Sequence, residues 1–186
     1  MTIPALQNKI EFFMNGSNVK RFHTIPTVKE ETVGHHSHGV ALLISIMFPE
    51  SHYNIIYAAL LHDLAEQVTG DIPSPQSRKL KEDPSFKSKY EKIEDEILEK
   101  NSLPLPKLNE TEKLTLKFAD IMHGALTCIQ EMRLGNNTQQ IKHVYNTYID
   151  YAYDLIGLCM NRSIPDYTVG RFRSTLQSVI DIESEI

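Results

Sequence analysis

Apolar residues recur at helical intervals from end to end of this chain, and nowhere do they alternate as a half-buried strand requires. That pattern restricts the fold to helices packed on helices. Leu6, Ile10 and Phe13 keep the spacing behind Pro4, which suits a first helical turn, and Gly16 reads as the stop. Residues 17–33 lose the period and carry Pro26, so a surface loop is expected there. A helix is expected from about Gly34 to Phe48, burying Val40, Leu43, Ile44 and Met47 and ending ahead of Pro49. The next is expected from about His52 through Glu66, dense in Ile55, Ile56, Ala59, Leu60 and Leu61. Thr69-Gly70-Asp71-Ile72-Pro73-Ser74-Pro75 is turn chemistry.

Beyond Pro84, Phe86, Tyr90, Ile93 and Ile97 form one stripe opposed by Glu and Lys. Leu103-Pro104-Leu105-Pro106 is a connector. Asn109 and Glu112 form a capping pair that opens a long helix to about Leu134, and Gly135-Asn136-Asn137 ends it. Ile141, Val144, Tyr148, Leu155 and Cys159 carry another helix; Val169, Phe172, Leu176 and Val179 carry the last. The expected architecture is all-α, one domain over residues 1–186, a compact bundle of about seven helices.

A chain of 186 residues can bury a core of its own without staples. Its formal net charge of −5 offers no general attraction to a nucleic-acid backbone, which argues against a polymer-binding protein. A small phosphorylated ligand needs only a local positive cluster and stays open. Cys128 and Cys159 both sit inside amphipathic segments, so a disulfide framework is not expected and a reducing cytoplasmic setting is. No stretch approaches a membrane span, and no membrane partner is expected.

The strongest local signal is His62-Asp63 with Glu66 after it. On a helix, residues three and four apart share a face, so Glu66 is expected near both. An imidazole beside a carboxylate makes a good ligand pair for a divalent metal, and a further carboxylate can handle protons. The setting is unusual, because residues 55–64 are otherwise apolar and burying unpaired charge is expensive. Taken singly, each feature has an ordinary explanation: a helix end turning polar, a capping histidine among His35, His36 and His38, a salt-bridged Asp120. Together they put a histidine, a His-Asp pair and an isolated Asp on successive helices.

In that order the chain resembles the HD-domain phosphohydrolase superfamily. Arg21-Phe22, Thr32-Val33-Gly34-His35-His36-Ser37 and the run from Leu61 to Pro75 are similar to the short HD-domain 5′-deoxynucleotidases, as are Glu112-Lys113, Asp120 and Gly135-Asn136-Asn137. The resemblance implies His36, His62, Asp63 and Asp120 as metal ligands and Glu66 as the proton-handling carboxylate. It also implies Arg21 on phosphate, Phe22 packed on the sugar and Asp71 on the sugar 3′-hydroxyl. Phe22 stands where the family usually has Trp. Arg78 and Lys79, beyond the turn, are candidates for further phosphates. His35 and His38 are expected at the solvated surface.

The chemistry so implied is hydrolysis of a deoxynucleotide phosphoester, with one divalent transition metal (zinc, cobalt or manganese) and room for magnesium or manganese carried in with the phosphates. Release of phosphate from deoxynucleoside monophosphates is the leading expectation. Related short viral HD proteins remove triphosphate from deoxyadenosine triphosphate, which is the alternative; a non-catalytic nucleotide sensor is a third. Homo-oligomerisation is also implied, with Tyr148, Tyr151 and Tyr153 available either for an interface or for the core.

Overall fold

The computed structural model describes residues 3–72, 80, 82–162 and 164–186. The described helices are α1 (Ile3–Ser17), α2 (Val33–Met47), α3 (Tyr53–Leu61), the single turn α4 (Glu66–Thr69), α5 (Pro84–Lys100), α6 (Glu110–Arg133), α7 (Gln139–Asn161) and α8 (Asp166–Ser184). No strand occurs among the described residues; one antiparallel bridge joins Lys20 to Thr32. None of the described helices is long and apolar enough to cross a membrane.

Cap chemistry sets several boundaries. Asn109 accepts from the backbone N–H of Glu112 while the Glu112 carboxylate accepts from that of Asn109, so the expected capping box opens α6. At the other end Gly135 takes φ 94°, and the amides of Gly135 and Asn136 bond back to the carbonyls of Met132 and Glu131. That is a Schellman closure, which favours glycine because a side chain resists positive φ.

Helix α6 is the hub, packing on α2, α3, α7 and α8. Phe118 stacks on Phe172 at 4.2 Å between ring centroids, in a core that also holds Val40, Ile44, Met122 and Ile141. A smaller core gathers Phe12, Val33, Leu61, Leu64, Ala65 and Leu98 from α1, α2, the end of α3, the segment after it, and α5. Helix α2 belongs to both, through Val33 at one end and Val40 and Ile44 further on. Cys128 and Cys159 are buried free thiols. Tyr148 and Tyr151 pack on the larger core, whereas Tyr153 is exposed.

One helix departs from expectation. The segment read as continuous from His52 to Glu66 is helical only to Leu61; residues 62–65 form successive tight turns and Glu66 opens α4. The backbone bonds Leu64 to Leu61 and Glu66 to Asp63 skip three residues instead of four. The His62 ring replaces the lost helical bond by donating from Nδ1 to the Ala59 carbonyl at 2.8 Å. Leu61, Leu64 and Ala65 turn into the smaller core, which leaves His62, Asp63 and Glu66 on the opposite side.

Candidate active site

Helix α2 places His36 between the two cores. It starts at the N-cap Thr32, whose hydroxyl accepts from His35 N, and its buried stripe runs Val33, His36, Ser37, Val40, Ala41, Ile44 and Met47. His36 is fully buried; His35 and His38 face solvent, as expected. The His36 Nε2 atom lies 3.2 Å from Asp120 Oδ1 on α6 and 3.6 Å from Asp63 Oδ2. His62 Nε2 comes within 3.4 Å of the same Asp63 oxygen.

A carbonyl can only accept, so His62 donates from Nδ1, and in the neutral ring Nε2 then carries the lone pair. Both His36 Nε2 and His62 Nε2 are buried without a well-angled hydrogen bond. Ligating atoms of His36, His62 and Asp120 lie within 4.8 Å of one another, with Asp63 Oδ2 beside both rings. Leaving such atoms unmatched is costly, and two imidazoles with two carboxylates suit a divalent transition cation. The residues present therefore fit one.

The charges are graded around this point. Burial opposes ionisation of Asp63, but the surrounding positive charge holds its carboxyl below the usual range, Arg21 Nη1 donating to it at 2.6 Å. Desolvation opposes ionisation of the half-buried Asp120 as well, but Lys117, which reaches Oδ2 at 2.7 Å, and His36 hold it well below its ordinary value. Burial, then the Arg21 charge, lowers His36 to about 4, so near neutrality it keeps the uncharged form that ligates metals. Glu66 is the opposite case. Burial and the neighbouring Asp63 charge push its carboxyl up to about 10, and its Oε2 is buried without a partner.

Asp63, Glu66 and Asp120 line a cavity of about 280 Å³ whose wall also includes His62 and Ile72, with Tyr90, Glu91 and Glu94 from α5 and Lys113 and Lys117 from α6, while His36 and Arg21 stand behind that wall. The structure thus brings together His36, His62, Asp63, Asp120, Glu66 and Arg21. The tight turns, and not one continuous helix face, put Glu66 beside His62 and Asp63. Two other candidates are not on the cavity wall. Phe22 packs against the larger core with φ 56°, an uncommon backbone for a bulky residue, and does not line the cavity. Asp71 faces His23 Nδ1 at 3.4 Å, and its neighbour Ile72 is the residue on the wall. Arg78 and Lys79 lie outside the described residues.

Sequence reasoning gave no role to several residues around this site. His123 and Lys117 follow and precede Asp120 by three positions, and that spacing on one helix was a signal available for both. Lys113, one further turn back, lines the cavity as well. Glu31, only 5% exposed, reaches the site from a loop, where no period could have marked it.

A family model described as 5′-deoxynucleotidase YfbR-like matches residues 11–153. The 5′-deoxynucleotidases of Yersinia pestis (strain Pestoides F) and Yersinia pseudotuberculosis (serotype O:1b, strain IP 31758) are each 29% identical over 153 residues, 68% of this chain and 76% of theirs. Among solved structures, the cyanophage S-2L HD phosphohydrolase DatZ, bound to dA and one catalytic Zn2+ ion, superposes with a TM-score of 0.70 at 18% identity, covering 92% of this chain and 95% of DatZ. An HD-domain phosphohydrolase of Listeria innocua gives 0.59 at 16% identity over 97% and 96% of the two chains. The two structures share the all-helical scaffold. With the family model spanning most of its length, the chain belongs to the 5′-deoxynucleotidase YfbR-like family.

Proposed function

We propose that this chain is a metal-dependent 5′-deoxynucleotidase, which hydrolyses deoxynucleoside monophosphates to deoxynucleoside and inorganic phosphate. The observation that carries the reading is the convergence of two buried imidazole Nε2 atoms on Asp63 and Asp120, beside a Glu66 whose carboxyl is held protonated. His36, His62, Asp63 and Asp120 would hold the cation. When bound, a divalent cation supplies a lowered pKa to coordinated water and neutralises charge on a phosphoryl oxygen. The cavity argues for such a cation on its own account, since Glu91 and Glu94 add to the carboxylates facing an anionic substrate.

The chain's own groups divide the remaining work. Water attacks phosphorus as the bond from phosphorus to the sugar 5′-oxygen breaks. Glu66 gives its proton to that leaving oxygen and, as a carboxylate, takes up the proton the water sheds. Arg21 holds Asp63 in place through the 2.6 Å bond and keeps a positive charge beside the candidate ligands. Lys113 and Lys117 add cations on the cavity wall. The family and the Yersinia relatives favour the monophosphate over the triphosphate as substrate.

The test is product analysis by chromatography after incubation with each deoxynucleoside mono- and triphosphate, and the ribo counterparts, under manganese, cobalt, zinc or magnesium. Deoxynucleoside and inorganic phosphate from the monophosphates is the expected result. Intact triphosphate released from a triphosphate substrate overturns the choice of bond partner. No product under any metal overturns the enzyme reading.

A further inference from the structure

His36 has two edges, and the reading above uses one. Its Nε2 edge faces Asp63 and Asp120; its Nδ1 lies 3.1 Å from Nδ1 of His123, with the two rings set edge-on at 78°. We propose that His123 is a positioning residue that accepts the Nδ1 proton of His36 and so keeps His36 Nε2 free for the divalent cation. The inference rests on the metal-dependent reading.

A neutral imidazole carries one proton, so His36 can ligate through Nε2 only if that proton is on Nδ1. His62 solves the same problem with the Ala59 carbonyl, which can only accept. His36 has a second histidine there instead, and two arrangements are possible. Either His36 donates and His123 accepts, or the reverse holds and His36 Nε2 is blocked by its own proton. Ligation through Nε2 requires the first. His123 Nδ1 also lies 3.5 Å from Glu31 Oε1, but that oxygen accepts the Thr127 hydroxyl at 2.6 Å, which leaves the His36 ring as the nearer partner of His123 Nδ1. The same hydroxyl touches the His123 carbonyl at 3.1 Å, which ties the Glu31 contact to the backbone that carries His123.

The packing holds the ring in that pose. Gly39, one turn beyond His36 on α2, leaves the space that the His123 imidazole fills: a Cβ on Gly39 would sit 2.0 Å from both Cδ2 and Nε2 of that ring. Glycine inside a helix costs roughly 0.5–1 kcal/mol against alanine, so the slot is an expensive feature with a specific occupant. His123 also shares a helix face with Asp120, three residues back. One helix thus presents both a candidate ligand and the group that orients another.

The experiment loads wild type, His123→Leu and His123→Asn with cobalt(II). It reads affinity by competition with a chromophoric chelator and coordination by the visible absorption bands. Leu removes the acceptor and is expected to weaken cobalt by about 10–100-fold, the usual loss when a ligand's hydrogen-bond partner goes, with a shifted spectrum. Asn offers its side-chain oxygen near the old Nδ1 position and is expected to restore affinity and spectrum towards wild type. Equal affinity and an unchanged spectrum in His123→Leu overturn the proposal and leave the metal reading standing. Failure of wild type to hold cobalt overturns both. A second measurement needs no variant: in zinc-loaded wild type, long-range nitrogen–proton NMR correlations should find the His123 proton on Nε2. Finding it on Nδ1 overturns the proposal.

Discussion

Glu66 and Glu131 are both carboxylates sunk into helical packing, and their surroundings treat them in opposite ways. Glu131, 2% exposed on α6, accepts from the backbone amides of Val28 and Lys29 at 2.6 and 2.8 Å and from Asn136 Nδ2 at 2.9 Å. Burial alone would raise its carboxyl, but Asn136 and the two amides outweigh it and hold the group below its ordinary range. Glu66 has no such donors for Oε2 and faces the Asp63 charge. A satisfied buried acid is a fastening; an unsatisfied one waits for something to react with. The fastening also serves the site. Residues 19–33 form a loop closed at its base by the bonds Val33 N to Val19 O and Arg21 N to Glu31 O, and Glu131 ties down its far end. That puts Arg21 and Glu31 side by side against Asp63 and His123.

The hardest blow to the reactive side of this comparison is Asp63→Ala. It removes the oxygen that faces both imidazoles and leaves Arg21 buried without its closest partner. Metal content and turnover should fall together, by more than the roughly 100-fold that loss of a ligand's supporting partner costs. Metal analysis beside the product assay checks this, and a stoichiometric ion retained in the variant would mean the ligand set is wrong. Glu66→Gln separates the two functions. It should keep the metal and lower turnover by about 10²–10⁴-fold, the usual worth of a positioned proton-transfer group. Wild-type turnover in that variant would strip Glu66 of its role.

Much of this arrangement was legible before any coordinates. The stripe Val40, Leu43, Ile44 and Met47 already points one face of α2 inward, and His36 lies four residues before Val40, although its choice over His35 and His38 comes from its place before Ser37 in the resemblance. The capping box at Asn109 and the stop at Gly135 are local chemistry and stood in the sequence. The break after Leu61 did not. Residues 62–65 have no glycine or proline, and what ends the helix is a side chain competing for a carbonyl while Leu64 and Ala65 seek the smaller core. Glu31 and Glu131 were equally hidden, because their partners lie 96 and more than 100 residues away in the chain.

On the fastened side, Glu131→Gln should cost about 2–4 kcal/mol at pH 7, since an amide nitrogen would confront donors that the carboxylate satisfied. The pH dependence has a definite sign. The folded-state value lies below the unfolded one, so the contribution is fully present above the ordinary glutamate range and is lost as pH falls through the lowered folded value. Urea unfolding of wild type and variant should therefore diverge at neutral pH and converge in acid. A constant gap across the range would assign the loss to shape instead of charge.

The smallest expected effect sharpens the comparison most. Asn136 Nδ2 donates to both the Pro26 carbonyl and Glu131 Oε2, so it joins the loop to the helix end directly. In Asn136→Ala the Schellman bond from its main-chain amide to Glu131 O survives, and Glu131 keeps the amides of Val28 and Lys29. Three side-chain bonds go, to Pro26, Glu131 and Thr138, so the loss should be about 1–2 kcal/mol, seen as a few degrees in thermal unfolding. Metal affinity should hardly change, because the bonds at the base of the loop still seat Arg21 and Glu31. If Asn136→Ala instead costs as much as Glu131→Gln, the carboxylate's charge is not what fastens the loop; the Pro26 anchor is, and the contrast between the two glutamates loses its structural half.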